Sequence, residues 1–297
     1  MNSSFAQTIY FAPRGRQRLM ELGNQISQKY LTPTDNLIGL IGDSGAGKSL
    51  LIRGMFPGLI LTNDDNGINI RPLPILAQME AENFSSHTYH IDARFETAFN
   101  QPWEIAEAIK TAIADGKRVV IEHFNLLAKQ INLRADMLIG IGEEVMVTRP
   151  GVFGPEANEI KEIVFNSLSH RLMAHTAEDL TTYILETMGI QRPKPYHHSD
   201  IKSGFVLEFK TKPKIEIEAL EAKVNQLIKQ DLLVKVYDKK HIKFGDVIYL
   251  CNGPRIHVKS TGAIKKFSLN GFKFDLKTNL YLLAGVVGEE RSQFELS

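Results

Sequence analysis

The sequence predicts an α/β domain with a mostly parallel sheet over residues 1–155, followed by an α+β domain over residues 156–297. In the first half, short apolar segments alternate with helical patterns, and a glycine-rich turn joins the first buried strand to a helix. Prolines and glycines then interrupt the pattern in RPGVFGPEANE, residues 149–159, before a long helical segment begins. A chain of 297 residues is long enough to form two hydrophobic cores.

Five apolar segments in the first half have the length and composition of buried strands. They are residues 37–41 (LIGLI), 58–62 (GLILT), 88–92 (TYHID), 117–124 (KRVVIEHF) and 136–142 (DMLIGIG). Between the third and the fourth, PWEIAEAIKTAIADGK predicts a helix, because it starts with proline, repeats apolar residues at i and i+4, and closes with Asp-Gly. Strands separated by helices indicate a parallel sheet with crossover connections.

The turn after the first buried strand reads GDSGAGKS and fits the phosphate-binding pattern G-x-x-x-x-G-K-[ST]. The strand before it and the helical SLLIRGM after it supply the context that this pattern requires. Glycines let the backbone direct successive N–H groups at phosphate oxygens, Lys48 reaches the β- and γ-phosphates, and Ser49 is a ligand of Mg²⁺. We therefore expect ATP or GTP with Mg²⁺ to bind at Gly42, Asp43, Ser44, Gly45, Ala46, Gly47, Lys48 and Ser49.

An acid at the end of a neighbouring strand is expected to complete this phosphate site. Glu122, in VVIEHF, is the first choice for a catalytic residue, because there it would hold Mg²⁺ through water or orient the attacking nucleophile. Asp92, in YHIDA, is the alternative; either acid would otherwise bond to the N-terminus of a neighbouring helix. We expect His123 to be a packed or hydrogen-bonding histidine, and Arg71 is a candidate for stabilising phosphate charge.

The second half has an α+β pattern. The predicted elements are a helix over 157–188, a strand in GFVLEFK, a helix in IEIEALEAKVNQLIKQ, a strand in LLVKVYDKK and short strands from DVIYL onward.

Two segments of this half, HTAEDLTTYILETMGI (175–190) and CNGPRIHVKSTGAIKKFSL (251–269), resemble the signature segments of the editing domain of threonyl- and alanyl-tRNA synthetases, also called the second additional domain. The glycine-containing strand DIKSGFVLEF and the helix ALEAKVNQLIKQ stand between them in the same order as in that family. The resemblance covers roughly residues 160–285 and leaves out the first half. The chain is thus similar to an α/β P-loop domain, 1–155, fused to an α+β editing-like domain, 156–297.

The resemblance implies a pocket formed by His175, Asp179, Cys251 and His257. In the family such pockets hydrolyse the ester between an amino acid and the 3′ end of tRNA, through a zinc ion or a positioned water. Asp179 stands where the family has histidine, and Cys251 and His257 are six positions apart where the family usually has four. These four side chains nevertheless form a chemically sensible zinc set. The neighbouring His197 and His198 are expected to have no role.

Composition narrows the cellular context. The apolar and charged fractions, 43% and 23%, are those of a globular protein, and no segment has the length of a membrane span. The sequence start lacks the apolar core of a signal peptide, and the single cysteine, Cys251, excludes an internal disulfide. We therefore expect a cytoplasmic protein without a membrane partner. The net charge of +1 neither requires nor excludes a nucleic-acid partner.

Three functional hypotheses remain. In the first, the chain is an NTP-dependent hydrolase that removes an amino acid from tRNA. In the second, the pocket is non-catalytic and binds an aminoacyl end, a free amino acid or RNA, while the P-loop domain acts as a switch. In the third, the chain is a small-molecule kinase with an appended recognition domain. Retained His175, Cys251 and His257 favour the first hypothesis, and Asp179 favours the second.

Overall fold

The computed structural model describes residues 7–62, 69–191, 201–238, 240–251 and 256–288. The chain divides into two compact units. Among the described residues, unit 1 comprises those up to Tyr10 and those from Arg16 to Asn166, and unit 2 comprises Phe11 to Gly15 and those from Ser167 onward. The α/β class predicted for the first half is confirmed.

Unit 1 is built on a six-stranded sheet. Its strands are β1 Gln7–Phe11, β2 Leu37–Gly42, β3 Thr88–Asp92, β4 Arg118–Glu122, β5 Met137–Ile141 and β6 Glu144–Thr148. Its helices are α1 Arg16–Tyr30, α2 Lys48–Met55, α3 Pro74–Glu80, α4 Ala93–Glu96, α5 Pro102–Ala114, α6 Ala128–Ile131 and the beginning of α7 Ala157–Thr187. The strand order is β1-β6-β5-β2-β4-β3. Strand β2 pairs in parallel with β4 and β5, β3 pairs in parallel with β4, and β6 is antiparallel to β5, so the sheet is mixed.

This order places strand β2, which precedes the glycine-rich loop, between β4 and β5 at the centre of the sheet. All residues of β2 and β5 are buried, as expected of parallel strands that are covered on both faces. The carboxyl ends of β2, β3, β4 and β5 meet at one edge, where ligands bind in open α/β sheets.

The prediction of a strand over residues 58–62 is wrong. Gly58 lies in a turn with φ of 90°, and the segment after it is not a strand. Leu61 and Thr62 are nevertheless only 1% and 3% exposed. The apolar pattern of this segment therefore reflects burial and not pairing with a neighbouring strand. The backbone N–H of Thr62 donates to a side chain, the Nδ1 atom of His90. Conversely, β6 was not among the predicted strands, although it continues the sheet after a tight turn from β5.

The boundary between the units falls inside helix α7, between Asn166 and Ser167, rather than at 155/156. The physical reason is that the beginning of α7 contributes Ala157, Ile160 and Val164 to the hydrophobic core of unit 1. Proline and glycine residues in the sequence cannot predict this boundary, because helix α7 continues through it without interruption.

Unit 2 combines helices with two antiparallel sheets. Its remaining elements are β7 Gly204–Phe209, α8 Ile217–Lys229, β8 Val234–Val236, β9 His241–Phe244, β10 Val247–Leu250, β11 Ser268–Leu269, β12 Lys273–Asp275 and β13 Leu280–Val286. One sheet has the order β10-β9-β8, and in the other β13 pairs with β7, β11 and β12. Residues from α7, α8 and both sheets share one hydrophobic core. Within the described parts of the chain, no helix is long and apolar enough to span a bilayer.

Candidate functional site

The glycine-rich loop of unit 1 connects β2, which ends at Gly42, to α2, which begins at Lys48. Gly45 and Gly47 have φ angles of 77° and 102°, in the left-handed region that favours glycine. A side chain at Gly47 would also overlap Leu19 of α1. Positive φ angles at Gly45 and Gly47, together with close packing at Gly47, therefore account for glycine at these two positions of the loop.

Lys48 is 3% exposed, and its ammonium lies inside this loop. Its Nζ atom donates to the carbonyl oxygens of Gly42 at 3.2 Å and Asp43 at 2.8 Å. The same Nζ atom lies 3.9 Å from Oε2 of Glu122. Burial lowers the pKa of Lys48, and the nearby carboxylates of Glu122, Asp92 and Asp43 oppose this shift. The loop thus holds a buried cation whose Nζ atom donates to two carbonyl groups of the loop itself.

Glu122, at the end of β4, is 4% exposed and aligns with Leu40 of β2 on one side and with Asp92 of β3 on the other. Burial opposes its ionisation, but a hydrogen bond from His90, the charge of Lys48 and a hydrogen bond from Ser49 outweigh burial. The pKa of Glu122 therefore lies below its ordinary value. The structure brings Glu122, Lys48 and Ser49 together at one edge of the sheet.

Asp92, the alternative acid, is used differently. Its Oδ1 atom accepts the backbone N–H of Phe95 at 3.2 Å and thereby caps α4. We expected Glu122 or Asp92 to bond to the N-terminus of a neighbouring helix if it had no functional role, and Asp92 does so. Asp92 still lies near enough to Lys48 to affect its pKa, so both acids border the loop.

His90 is a site residue that the sequence interpretation missed. It is 3% exposed, and its Nε2 atom lies 3.3 Å from Oε1 of Glu122. Its other ring nitrogen, Nδ1, accepts the backbone N–H of Thr62 at 3.1 Å. A signal was present, because side chains alternate along a strand and His90 therefore shares one face of β3 with Asp92.

His123 and Arg71 have local explanations. His123 follows Glu122 with φ of 56°, and burial together with the charge of Lys48 lowers its pKa to about 4, so the ring is neutral at pH 7. Arg71 Nη1 donates to both oxygens of Glu96, at 2.9 and 2.8 Å. The Arg71 guanidinium also lies 4.8 Å from the ring centres of Phe95 and Phe99.

A second cluster lies in unit 2, where the structure brings together all four side chains of the predicted pocket. His175 and Asp179 lie one turn apart on α7, Cys251 directly follows β10, and His257 lies beyond residues 252–255. One ligand atom from each lies within 4.8 Å of the others. Sγ of Cys251 is 3.3 Å from Nε2 of His175 and 3.8 Å from Nε2 of His257, which is 2.9 Å from Oδ2 of Asp179. We call these residues the quartet.

The quartet could hold a metal ion, and its contacts are not those of a cysteine–histidine–aspartate triad. In a triad the histidine uses one ring nitrogen for the nucleophile and the other for the acid. Here His257 presents the same atom, Nε2, to both Cys251 and Asp179, while its Nδ1 atom is buried without a hydrogen-bond partner among the described residues. The backbone N–H of Val258 donates to Oγ1 of Thr176 at 3.1 Å, which fixes the segment after His257 against α7.

His197 and His198 lie outside the described residues, as do four of the five residues between Cys251 and His257. The longer spacing between Cys251 and His257 does not separate their side chains, because Sγ of Cys251 lies 3.8 Å from Nε2 of His257.

Comparisons with known proteins do not place the chain in a family. No protein-family model and no curated protein matches it. A crystal structure of DndA from Streptomyces lividans is similar over 95% of this chain and 83% of that chain, with 11% sequence identity and a TM-score of 0.27. A TM-score this low does not indicate a shared fold.

Proposed function

We propose that unit 1 binds a nucleoside triphosphate with Mg²⁺ and catalyses transfer of its terminal phosphoryl group, and that unit 2 recognises the aminoacyl 3′ end of tRNA. The nucleotide-binding proposal depends on one observation: Lys48 Nζ lies 3.9 Å from Glu122 Oε2 beside a glycine-rich loop with positive φ angles. A cation and an acid behind such a loop are the parts that phosphoryl transfer requires.

Each residue has a definite role in this proposal. Backbone N–H groups from Gly45 to Ser49 bind the phosphates, and Lys48 exchanges its carbonyl partners for β- and γ-phosphate oxygens. Ser49 would be the protein ligand of Mg²⁺, which supplies positive charge to the phosphates when bound. Both ATP and GTP satisfy these contacts, since none of them reaches the base.

Glu122 receives the proton of the attacking group. A water oxygen forms a bond to the γ-phosphorus, the bond between that phosphorus and the bridging oxygen breaks, and the diphosphate leaves with the electron pair. The proton of the water passes to Glu122 and then to solvent, which leaves nucleoside diphosphate and inorganic phosphate. If an alcohol takes the place of water, the same residues make the chain a small-molecule kinase.

Replacement of Lys48 tests nucleotide binding. Lys48→Ala removes the side-chain cation of the loop, so the affinity for ATP–Mg²⁺ or GTP–Mg²⁺ should fall at least tenfold, about 1.4 kcal/mol. Titration calorimetry measures this change, and Lys110→Ala, at a half-buried position on α5, is the matched control. Equal affinity of Lys48→Ala and the parent chain would refute the phosphate-loop assignment.

The quartet is suited to zinc. In tetrahedral zinc sites, with Zn–N near 2.0 Å and Zn–S near 2.3 Å, ligand atoms lie about 3.3 to 3.8 Å apart. The Cys251 Sγ distances to the two histidines, 3.3 and 3.8 Å, lie in this range, whereas the 2.9 Å between His257 Nε2 and Asp179 Oδ2 is shorter and would have to widen around an ion. Thiolate and imidazole are preferred zinc ligands. His175, Asp179, Cys251 and His257 would hold the ion, which when bound would fix the shape of the pocket.

Recognition is the main proposal for this pocket, because four protein ligands fill a tetrahedral site, whereas catalytic zinc keeps one position open. Hydrolysis of the aminoacyl ester is the second candidate, and one observation favours it. Asp179 is the one carboxylate of the quartet, and if it left the metal its Oδ2 atom, 2.9 Å from His257 Nε2, could take the proton of a water. A switch that senses free amino acids is compatible with the same pocket.

Metal analysis and a deacylation assay separate these candidates. We expect about one zinc per chain in the parent protein and a large loss of zinc in Cys251→Ser, because removing a thiolate ligand weakens the site. Recognition predicts binding of a short aminoacylated 3′-end mimic without release of the amino acid. Release that disappears in Asp179→Asn would favour hydrolysis, and an absence of zinc and of binding would refute both readings.

A further inference from the structure

His90 connects the acid of the phosphate site to the backbone at Thr62. Because the backbone N–H of Thr62 is a donor, His90 Nδ1 must accept at their 3.1 Å contact. A neutral ring then carries its proton on Nε2, so Nε2 donates to Glu122 Oε1 at 3.3 Å. The hydrogen-bond partners therefore define both the tautomer and the direction of the ring.

The two oxygens of Glu122 have different neighbours. Oε1 faces His90 Nε2 at 3.3 Å, and Oε2 faces Lys48 Nζ at 3.9 Å. A carboxylate that is hydrogen-bonded at Oε1 and attracted to a cation at Oε2 cannot rotate freely about its terminal bond, and Ser49 adds a further hydrogen bond to it. Lys48 changes partners when phosphate binds, whereas His90 is 3% exposed and is held by Thr62.

We propose that His90 is a positioning residue that orients the Glu122 carboxylate to accept the proton of the attacking group. This inference rests on the function proposed for unit 1. It assigns to His90 no contact with the nucleotide, only the orientation of the residue that performs the chemistry. Its neighbours on β3, Tyr89 and Ile91, instead belong to the hydrophobic core, so His90 is the polar residue of an otherwise packed stretch.

Two substitutions separate the two ring contacts. In His90→Gln the side-chain amide nitrogen can reach the position of Nε2 and donate to Glu122. In His90→Asn the shorter amide reaches only the position of Nδ1, so the bond from Thr62 can be kept while the bond to Glu122 is lost. We expect kcat for NTP hydrolysis within about threefold of the parent in His90→Gln and reduced roughly 10- to 100-fold in His90→Asn, with KM nearly unchanged in both.

A double substitution tests whether His90 acts through Glu122. Introducing His90→Asn into Glu122→Gln should lower kcat by less than about twofold, because the residue that His90 orients is already inactive. An equal loss of kcat with and without Glu122→Gln would overturn the proposal, as would a His90→Asn variant with the kcat of the parent.

A spectroscopic measurement does not depend on turnover. In ¹H–¹⁵N spectra of the imidazoles, His90 should be the tautomer protonated on Nε2, and Glu122→Gln should shift the Nε2 signal more than the Nδ1 signal. A proton on Nδ1 would overturn the proposal even if the protein hydrolyses NTP. The expected spectra without any NTP binding by the parent chain would instead refute the function proposed for unit 1, and with it the positioning role.

Discussion

Glu122 and Asp92 occupy equivalent ends of adjacent parallel strands, yet their environments differ. Glu122 faces Lys48, whereas Asp92 caps α4. We predict that Glu122→Gln leaves NTP–Mg²⁺ affinity within about threefold of the parent but slows hydrolysis by two or more orders of magnitude, since the loss is confined to the transition state. Single-turnover kinetics together with calorimetry measure the two effects separately.

Asp92→Asn is the matched control for this prediction. Its amide oxygen can still accept the N–H of Phe95, so α4 should remain capped and hydrolysis should change little. If Asp92→Asn were slow and Glu122→Gln active, the catalytic acid would be on β3 instead of β4.

A buried ion pair gives unit 1 a defined pH dependence. Asp35 is 3% exposed and accepts hydrogen bonds from Arg149 Nη1 and Nη2, each 2.7 Å long, and from the backbone N–H of Thr32 at 2.6 Å. Burial opposes ionisation of Asp35, but these bonds outweigh it and hold the pKa of Asp35 below its ordinary value. The ionised form is therefore favoured by folding, and its contribution is present above the unfolded pKa of about 3.9.

Asp35→Asn should accordingly lower the free energy of unfolding by about 2 kcal/mol at pH 7. The difference from the parent should shrink as the pH falls below about 4, through the folded pKa, because Asp35 then becomes protonated in both states. Urea unfolding at several pH values measures this difference, with exposed Asp115→Asn as control. A difference that stayed constant down to pH 2 would contradict the ion-pair explanation.

At the scale of elements, helix α2 carries Lys48 and Ser49 and packs closely on α1. A side chain at Gly54 would overlap the backbone carbonyl of Met20, and one at Gly23 would overlap that of Leu51. The position of the glycine-rich loop thus depends on a helix pair whose backbones approach at two glycines.

Gly54→Ala should therefore destabilise unit 1 by about 1 to 3 kcal/mol and also weaken NTP binding, because α2 must move away from α1. Gly271→Ala is a suitable control, since a side chain there meets nothing within 4 Å. Denaturant unfolding and calorimetry test both effects. A Gly54→Ala variant as stable as Gly271→Ala would show that the helix pair can relax without cost.

At the scale of the whole molecule, the functions proposed for the glycine-rich loop and for the quartet lead us to expect that occupancy of one site affects the other. Such coupling must be reciprocal: if an aminoacyl 3′ end tightens NTP binding, NTP tightens binding of the 3′ end by the same factor. We predict a coupling of about 1 to 2 kcal/mol, or roughly five- to thirtyfold. The affinity for the 3′-end mimic should be measured with and without a non-hydrolysable NTP.

His257→Ala provides the control, because it alters the quartet and leaves the phosphate loop unchanged. In this variant the 3′-end mimic should bind weakly with or without NTP, while NTP affinity alone stays at the parental value. Equal mimic affinities in the parent chain, with and without NTP, would mean that the two units share a chain without sharing a function.

Much of the fold could be predicted from local sequence. The buried strands β2, β4 and β5, the helix that begins at Pro102 and the long helix α7 follow from apolar periodicity and from proline and glycine signals. The glycine pattern of the phosphate loop and the i, i+4 spacing of His175 and Asp179 on α7 are equally local. These features are determined by the sequence itself, because they depend on backbone conformation and burial within a few residues.

Only the tertiary structure decided which side chains meet. It set Glu122 rather than Asp92 against Lys48, placed His90 beside Glu122, and gave Arg71 a buried partner in Glu96. Likewise it brought Cys251 to His175 although 76 positions separate them. Such contacts depend on the order of strands and on the crossings between distant elements, and a local pattern carries no information about either. The false strand at 58–62 has the same cause, because burial without pairing leaves the same apolar signal as a strand.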